Sequence, residues 1–229
     1  MLDVSRREIK YEVGLCLAAV LRQRLAAVLA EDPHNGGSGY LVRSVYFDTP
    51  DALDDYQKLE GLDNRKKLRL RIYGFGDAPA KLELKQKQGA FQRKRSLSLS
   101  RRQAEQLLAG NQSCLNDFGE FGQALARRMA LGAYRPGCLV EYDRIAFFSP
   151  TNDTRVTLDC RLRASESCFR LYDPAVPLTP VGSPAAVTLE VKYNRFLLSF
   201  VKDAVSVEGM LNVSASKYCR GRQFGIGGE

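Results

Sequence analysis

The residues best suited to chemistry in this sequence are cations. Between Gly61 and Arg102 there are 13 Lys+Arg against 3 Asp+Glu, while the whole chain has 34 against 26. The stretch therefore carries more than the entire net charge of +8, and the remainder is slightly acidic. Within it, Arg69 and Arg71 alternate with Leu68, Leu70 and Ile72, and Glu83, Lys85 and Lys87 alternate with Leu82 and Leu84. A side-chain period of two puts the charges of each strand on one side. Arginine offers a planar bidentate grip on phosphate oxygens, lysine a point charge, and a carboxylate can hold a divalent metal. A solvated basic face is the plain alternative for one such strand. Several in one chain favour an anion site.

The same alternation recurs along the chain. Ser5 to Val13 sets Arg6, Glu8, Lys10 and Glu12 against Ile9, Tyr11 and Val13. Tyr40 to Asp48 is a strand closed by Thr49-Pro50, and the basic stretch from Leu68 to Arg95 supplies three more, with turns at Gly74 to Pro79 and Gly89-Ala90. Lys94, Ser96 and Ser98 share one face of the last of these. Gly137 to Ser149 is a long strand, and Thr154 to Arg161 its hairpin partner, with Arg155, Thr157, Asp159 and Arg161 on one face. Cys168 to Tyr172 is a short strand, and Ala186 to Tyr193 the last, with Glu190 and Lys192 on its charged face. Helical spacing covers Leu15 to Glu31, Asp51 to about Gly61, Arg101 to Ala109, Asp117 to Leu131, Phe196 to Val201 and Ala215 to Arg222. Six or more half-charged strands with intervening helices predict an α+β fold. If the sheet closes into a barrel, the charged faces meet inside and the apolar faces meet the helices outside. Such a lumen is tolerable only if it is wet and binds counter-ions.

Composition narrows the function classes. An apolar content of 45% supports a real core, and 229 residues fit one large domain, taken as residues 1–229. A pI near 9.2 suggests a polyanionic partner. The six cysteines form no C-x-x-C, which argues against a zinc or redox motif and for a reducing cytoplasm. Arg6, Arg7, Glu8 and Lys10 interrupt any signal peptide, and the apolar run from Val13 to Leu21 is too short to span a bilayer. The one histidine, His34, lies in a Gly-rich loop, so histidine-based triads and metal sites are close to excluded. Few aromatics interleave with the cations, which argues against a nucleic-acid partner.

In order along the chain, RREIKYE (6–12), VRSVYFDTP (42–50), KLRLRIYG (67–74), KLELKQKQGAFQRKR (81–95), EYDRIAF (141–147), RVTLD (155–159), LEVKY (189–193) and SKYCRG (216–221) resemble the triphosphate tunnel metalloenzymes of the CYTH-like superfamily. Within them the sequence looks most like the VTC domain, a polyphosphate polymerase, in its free-standing bacterial form. The resemblance implies an eight-stranded antiparallel β-barrel tunnel with helices packed outside. It implies ATP and polyphosphate as partners, a divalent metal (Mn2+ or Mg2+), and transfer of the ATP γ-phosphoryl group. It assigns phosphate contacts to Lys10, Arg69, Arg71, Lys85, Lys94, Arg144, Arg155 and Lys217, with Lys192 beside them on the last strand, and the metal to Glu190. Glu8 is either a second metal ligand or a salt-bridge partner of Lys10, and Lys217 has a plain alternative as a helix C-terminal cap. Tyr46 and Asp48 read as structural, and Arg93 and Arg95 as solvated. Hydrolytic and cyclase members of the superfamily open with Glu-x-Glu-x-Lys, whereas this strand reads Arg6-x-Glu8-x-Lys10. That departure weakens a two-metal hydrolase reading. Triphosphatase activity and non-catalytic polyphosphate sensing remain the rivals. The oligomeric state is not legible.

Overall fold

The computed structural model of the chain describes residues 6–76, 79–89, 91–207, 210, 212–213 and 216–222. In chain order the elements are β1 (Arg6–Gly14), α1 (Leu15–Val28), β2 (Ala30–Glu31), β3 (Tyr40–Asp48), α2 (Leu53–Leu59), β4 (Arg65–Tyr73), β5 (Ala80–Gln88), β6 (Phe91–Leu99) and α3 (Arg101–Leu108). A 3-10 segment (Gln112–Phe118) leads into α4 (Gly119–Leu131), followed by β7 (Arg135–Ser149), β8 (Thr154–Ser165), β9 (Thr179–Pro180), β10 (Ala186–Asn194), α5 (Ser199–Val205) and α6 (Lys217–Gly221). The class is α+β as the sequence predicts, with eight main strands in the order β1-β10-β8-β7-β3-β4-β5-β6. The pairs β1–β10, β10–β8, β2–β7, β3–β4, β4–β5 and β5–β6 are antiparallel. No helix among the described residues is long and apolar enough to cross a membrane.

The chain forms two compact units. The first comprises residues 1–41, 142–162 and 180–216. Its core sets the apolar face of β1, β8 and β10 against α1 and α5, through Val13, Leu21, Leu25, Val156, Leu158, Leu189, Val191 and Val201. Those strand residues are directly paired, Val13 with Val187, Tyr11 with Leu189, and Leu189 in turn with Leu158. Apart from Arg7, which pairs with Tyr193 at the exposed end of β1, the apolar side chains of these ladders leave by the face that carries Val13, Leu189 and Leu158, and Glu8, Lys10, Glu190, Lys192 and Arg155 leave by the other. Gly39 has φ +90°, and a Cβ there would lie 2.5 Å from the Arg144 carbonyl oxygen, so glycine is needed both for the turn and for the close approach.

The second unit comprises residues 42–141, 163–179 and 217–229. Phe47, Leu68, Leu70, Leu82, Leu84 and Leu99 from β3 to β6 pack against Ala104, Leu107, Leu115, Leu125 and Met129 of α3, the 3-10 segment and α4. Ser100 caps α3 in a reciprocal capping box with Gln103, which fixes where the basic hairpin ends and the helix begins. Asp48 is buried and acts as a local hub. Its Oδ1 accepts the backbone N–H groups of Thr49 and Asp54, and its Oδ2 accepts that of Asp55 and the hydroxyl of Tyr218. It thereby ties the start of α2 to α6.

Several local expectations are corrected. The first helix stops at Val28, because Ala30 and Glu31 pair with Phe148 and Phe147 as β2. Residues 168–172 are not a strand: apolar Phe169, Leu171 and Tyr172 serve the second unit's core from irregular backbone, so their run of apolar side chains mimicked a strand. Asp117 belongs to the 3-10 segment and α4 starts at Gly119. The fifth helix runs from Ser199 rather than Phe196. The predicted start of the last helix at Ala215 and the turn residue Ala90 lie outside the described residues.

Candidate functional site

Each unit carries a cluster of charged side chains on a strand face. In the second unit the ladder registers stack the predicted cations in rows. Arg71 pairs with Ser44 and Lys81, Arg69 with Tyr46 and Glu83, and Lys67 with Lys85, which pairs onward with Lys94. Direct antiparallel partners share a face. One sheet face thus presents Lys67, Arg69, Arg71, Lys85 and Lys94 while the other builds the core. Glu83 is the acid among them, and it is 5% exposed. Arg69 Nε donates to its Oε2 at 2.7 Å, Arg71 Nη1 lies 3.8 Å from the same oxygen, and Lys94 pairs with Oε1. Burial alone would raise the carboxyl's pKa, but Arg69, Arg71 and Lys94 outweigh it and hold Glu83 at about 2. Arg71 Nε also donates to Ser44 Oγ at 3.1 Å, so its guanidinium is fixed from two sides.

Tyr46 lies beside these cations. It is buried on this same face, stacked on Tyr218 at 4.8 Å, and Arg69 Nη1 reaches its hydroxyl at 3.4 Å. Burial works against ionisation of the phenol, yet Arg69, Arg71 and Lys67 bring its pKa below the usual value. Glu83 and Tyr46 are residues that sequence reasoning passed over as site components. The signal for Glu83 was available, since it is the lone acid in a basic period-two run. Lys217 opens α6 rather than closing a helix, which removes the C-terminal cap alternative. Arg95 pairs with Leu84 on the core side and lies 3.9 Å over the Phe121 ring, so it is neither solvated nor part of the cation face.

In the first unit, the β1, β10 and β8 ladders make a checkerboard of opposite charges. Glu8 pairs with Lys192 and Lys10 with Glu190. Across β10, Lys192 pairs with Arg155 and Glu190 with Thr157. Lys10 Nζ lies 2.9 Å from Glu8 Oε1 and 3.4 Å from Glu190 Oε1, and Lys192 Nζ lies 2.8 Å from Glu190 Oε2. The two lysines respond oppositely to this shared pair of acids. For Lys10, burial lowers the pKa but Glu190 and Glu8 prevail and raise it. For Lys192, burial prevails, the Arg144 charge adds to it, and the pKa falls to about 8. Arg144 is itself buried, with Nε and Nη2 on the two oxygens of Asp159 at 2.7 and 2.8 Å. Nη2 also lies 3.8 Å from Glu190. Burial opposes its charge, and Asp159 overrides that and holds it protonated well above the ordinary value. Arg155 points to Asp32 Oδ2 at 2.9 Å and the Tyr40 hydroxyl at 3.0 Å.

Glu8 and Glu190 are oxygen donors of the kind Mg2+ and Mn2+ take, usually as one or two carboxylates completed by substrate phosphates and water. Among the described residues no group of three or more His, Cys, Asp or Glu is arranged to hold a metal. A pair of carboxylates completed by phosphate therefore fits and a closed protein cage does not. On the same face, the Thr157 hydroxyl is buried with no hydrogen-bond partner, an orphan expected where a ligand completes the bonding. His34, 82% exposed at its side chain, is bound to Asp32 and is not part of either cluster.

The two charged strand faces lie on antiparallel strands whose opposite faces are backed by helices. The chain belongs to the VTC domain family, whose profile matches residues 5–225. No curated protein matches the sequence. Among solved structures, it is similar to the PH1819 protein of Pyrococcus horikoshii, at 10% identity over 96% of this chain and 99% of that one, with a TM-score of 0.46. It is similar to a candidate adenylate cyclase of Bacillus halodurans at 16% identity, over 87% of each chain, with a TM-score of 0.46. A protein named as the inorganic triphosphatase NE1496 is similar at 16% identity over 88% of this chain and 83% of that one, with a TM-score of 0.31.

Proposed function

We propose that this protein is a metal-dependent polyphosphate polymerase of the cytoplasm, transferring the γ-phosphoryl group of ATP to the end of a polyphosphate chain. The observation that carries the reading is the face of Arg69, Arg71, Lys85 and Lys94 organised around the single acid Glu83, in a chain of the VTC domain family. A terminal phosphate oxygen of the growing chain attacks the γ-phosphorus, the bond to the β,γ-bridging oxygen breaks, and ADP leaves with that electron pair. The attacking oxygen is already anionic at neutral pH, so no general base is required. The lone histidine, tied to Asp32 in a loop, agrees with that requirement.

Catalysis is then alignment and charge neutralisation. Arg69 and Arg71 arrive pre-aimed by Glu83 and Ser44. Lys85 and Lys94 extend the track. Lys10, Lys192, Arg144, Arg155 and Lys217 are the further cations assigned to phosphate. Glu190, with Glu8, would hold Mn2+ or Mg2+, which when bound neutralises charge on the transferring and leaving phosphates. Incubation with ATP and Mn2+, with products separated on a gel, tests the reading. Long ladders are expected. Free phosphate without ladders would make it a triphosphatase, and no turnover with retained triphosphate binding would make it a sensor.

A further inference from the structure

The cation face of the second unit has one end that differs from the rest. Strands β4 to β6 carry two aromatic side chains, Tyr73 and Phe91. Phe91 pairs with Gln88 and so leaves by the face opposite Lys85 and Lys94. Tyr73 pairs with Val42, one row beyond the pair Arg71 and Ser44, and shares their face. It is 48% exposed, its phenol engages Arg71, and its ring lies 5.9 Å from the Arg71 guanidinium carbon. The rows therefore run from Tyr73 through Arg71 and Arg69 to the Lys67, Lys85 and Lys94 row, a length of roughly 20 Å at strand spacing. That is enough for an extended nucleoside triphosphate.

A bare phosphate chain has nothing to offer an aromatic ring, because its whole surface is anionic oxygen. A nucleotide has one flat, uncharged π-face at one end and charge at the other. The face described here has the same order: one half-exposed ring, then a row of cations whose acid, Glu83, and second ring, Tyr46, are both buried. We infer that Tyr73 is the nucleobase platform, so that the base of the donor nucleotide stacks on it and the triphosphate lies along Arg71 and Arg69 with its γ-end toward Lys85 and Lys94. The inference rests on the proposed function and sharpens it. Tyr73 distinguishes nucleoside triphosphate from inorganic triphosphate, and it sets which way round the donor lies.

The test is calorimetric binding of ATP and of tripolyphosphate to the full chain and to Tyr73→Leu and Tyr73→Phe. Base-on-aromatic stacking predicts about tenfold weaker ATP binding for Tyr73→Leu. Tripolyphosphate binding should be unchanged in Tyr73→Leu, and Tyr73→Phe should keep both affinities. ATP should also bind more tightly than CTP, whose smaller ring stacks less area. Equal loss of both ligands in Tyr73→Leu would overturn the inference, since the side chain would then act only through Arg71. Unchanged ATP binding would overturn it directly while leaving the phosphate site standing. If the unaltered chain binds neither triphosphate, the phosphate-site reading itself fails and the platform goes with it.

Discussion

Arg69 and Glu83 are direct partners across the β4–β5 ladder, joined by a 2.7 Å bond from Nε to Oε2. That bond makes an acid the organiser of a basic face. Glu83 ionises at about 2 in the fold against 4.5 ordinarily. A carboxyl with a depressed folded pKa adds stability that is complete above its unfolded value and is lost as pH falls through the folded one. The window for Glu83 is therefore about pH 5 down to 2, and the amount about 3 kcal/mol. Urea unfolding of the native chain across that range should show the loss, and Glu83→Gln should lack this component. Parallel curves for the two proteins would contradict the assignment.

Without phosphate the cations repel one another, restrained by Glu83. Tripolyphosphate should raise the melting temperature of the native chain by several degrees at millimolar concentration, since a ligand held about a hundredfold above its Kd adds about 2.7 kcal/mol. In Glu83→Gln the starting temperature should be lower and the ligand-induced rise larger, because the ligand then relieves repulsion that the acid had balanced. A thermal shift series in low salt checks both. No shift in either protein would remove the anion site.

Glu190 and Arg69 should separate metal from phosphate. Glu190→Gln keeps the side-chain shape and removes the charge, so turnover with Mn2+ should fall by orders of magnitude while tripolyphosphate alone still binds. Arg69→Ala should weaken binding even without metal, with a loss in rate of about 10²–10³. Calorimetry with and without Mn2+, beside the gel assay, reads both. Native turnover in Glu190→Gln would shift the metal role to Glu8.

The pair Arg144 and Asp159 makes a different prediction. Both are buried and bound through two parallel contacts. Asp159→Asn leaves the buried guanidinium with Glu190, at 3.8 Å, in place of its bidentate partner, and breaking a buried pair in this way costs up to about 3–5 kcal/mol. The urea midpoint should drop accordingly, and phosphate or sulfate should recover part of the loss if Arg144 is available to anions. Full stability in Asp159→Asn would mean that Arg144 is compensated elsewhere.

Much of this was legible because charge alternation survives in the sequence. Wherever one face of a strand is buried against apolar side chains, the period of two fixes which residues share a face, and it put Lys10, Arg69, Arg71, Lys85, Arg155 and Glu190 on the charged strand faces where the ladders have them. The same period puts Arg95 with Leu97 and Leu99, and what misled was its charge, which read as solvated although its guanidinium packs on Phe121 from the core side. It was also silent on Arg43, a cation of β3 on the face of Val45 and Phe47. Arg43 is fully buried because Glu141 and the carbonyls of Leu171 and Asp173 satisfy it. Those partners are distant in sequence, and no local pattern announces them. The same holds for the link from Tyr46 through Tyr218 to Asp48, which joins strand β3 to a helix about 170 positions later in the chain.

The strand β6 ends the sheet order, and its outer stretch carries the exposed Arg93 and Lys94 beside the highly exposed Phe91. An unpaired strand edge is a template for pairing with another molecule, and like charges along it are a common deterrent. On the proposed function, cations that attract polyphosphate would also keep two copies of the chain apart. That protection is electrostatic, so it fades as salt or a long polyanion screens it. If the chain makes polyphosphate as proposed, a polymer accumulating near its maker would lower the barrier to self-association, and the colloidal behaviour of the protein would depend on its own output.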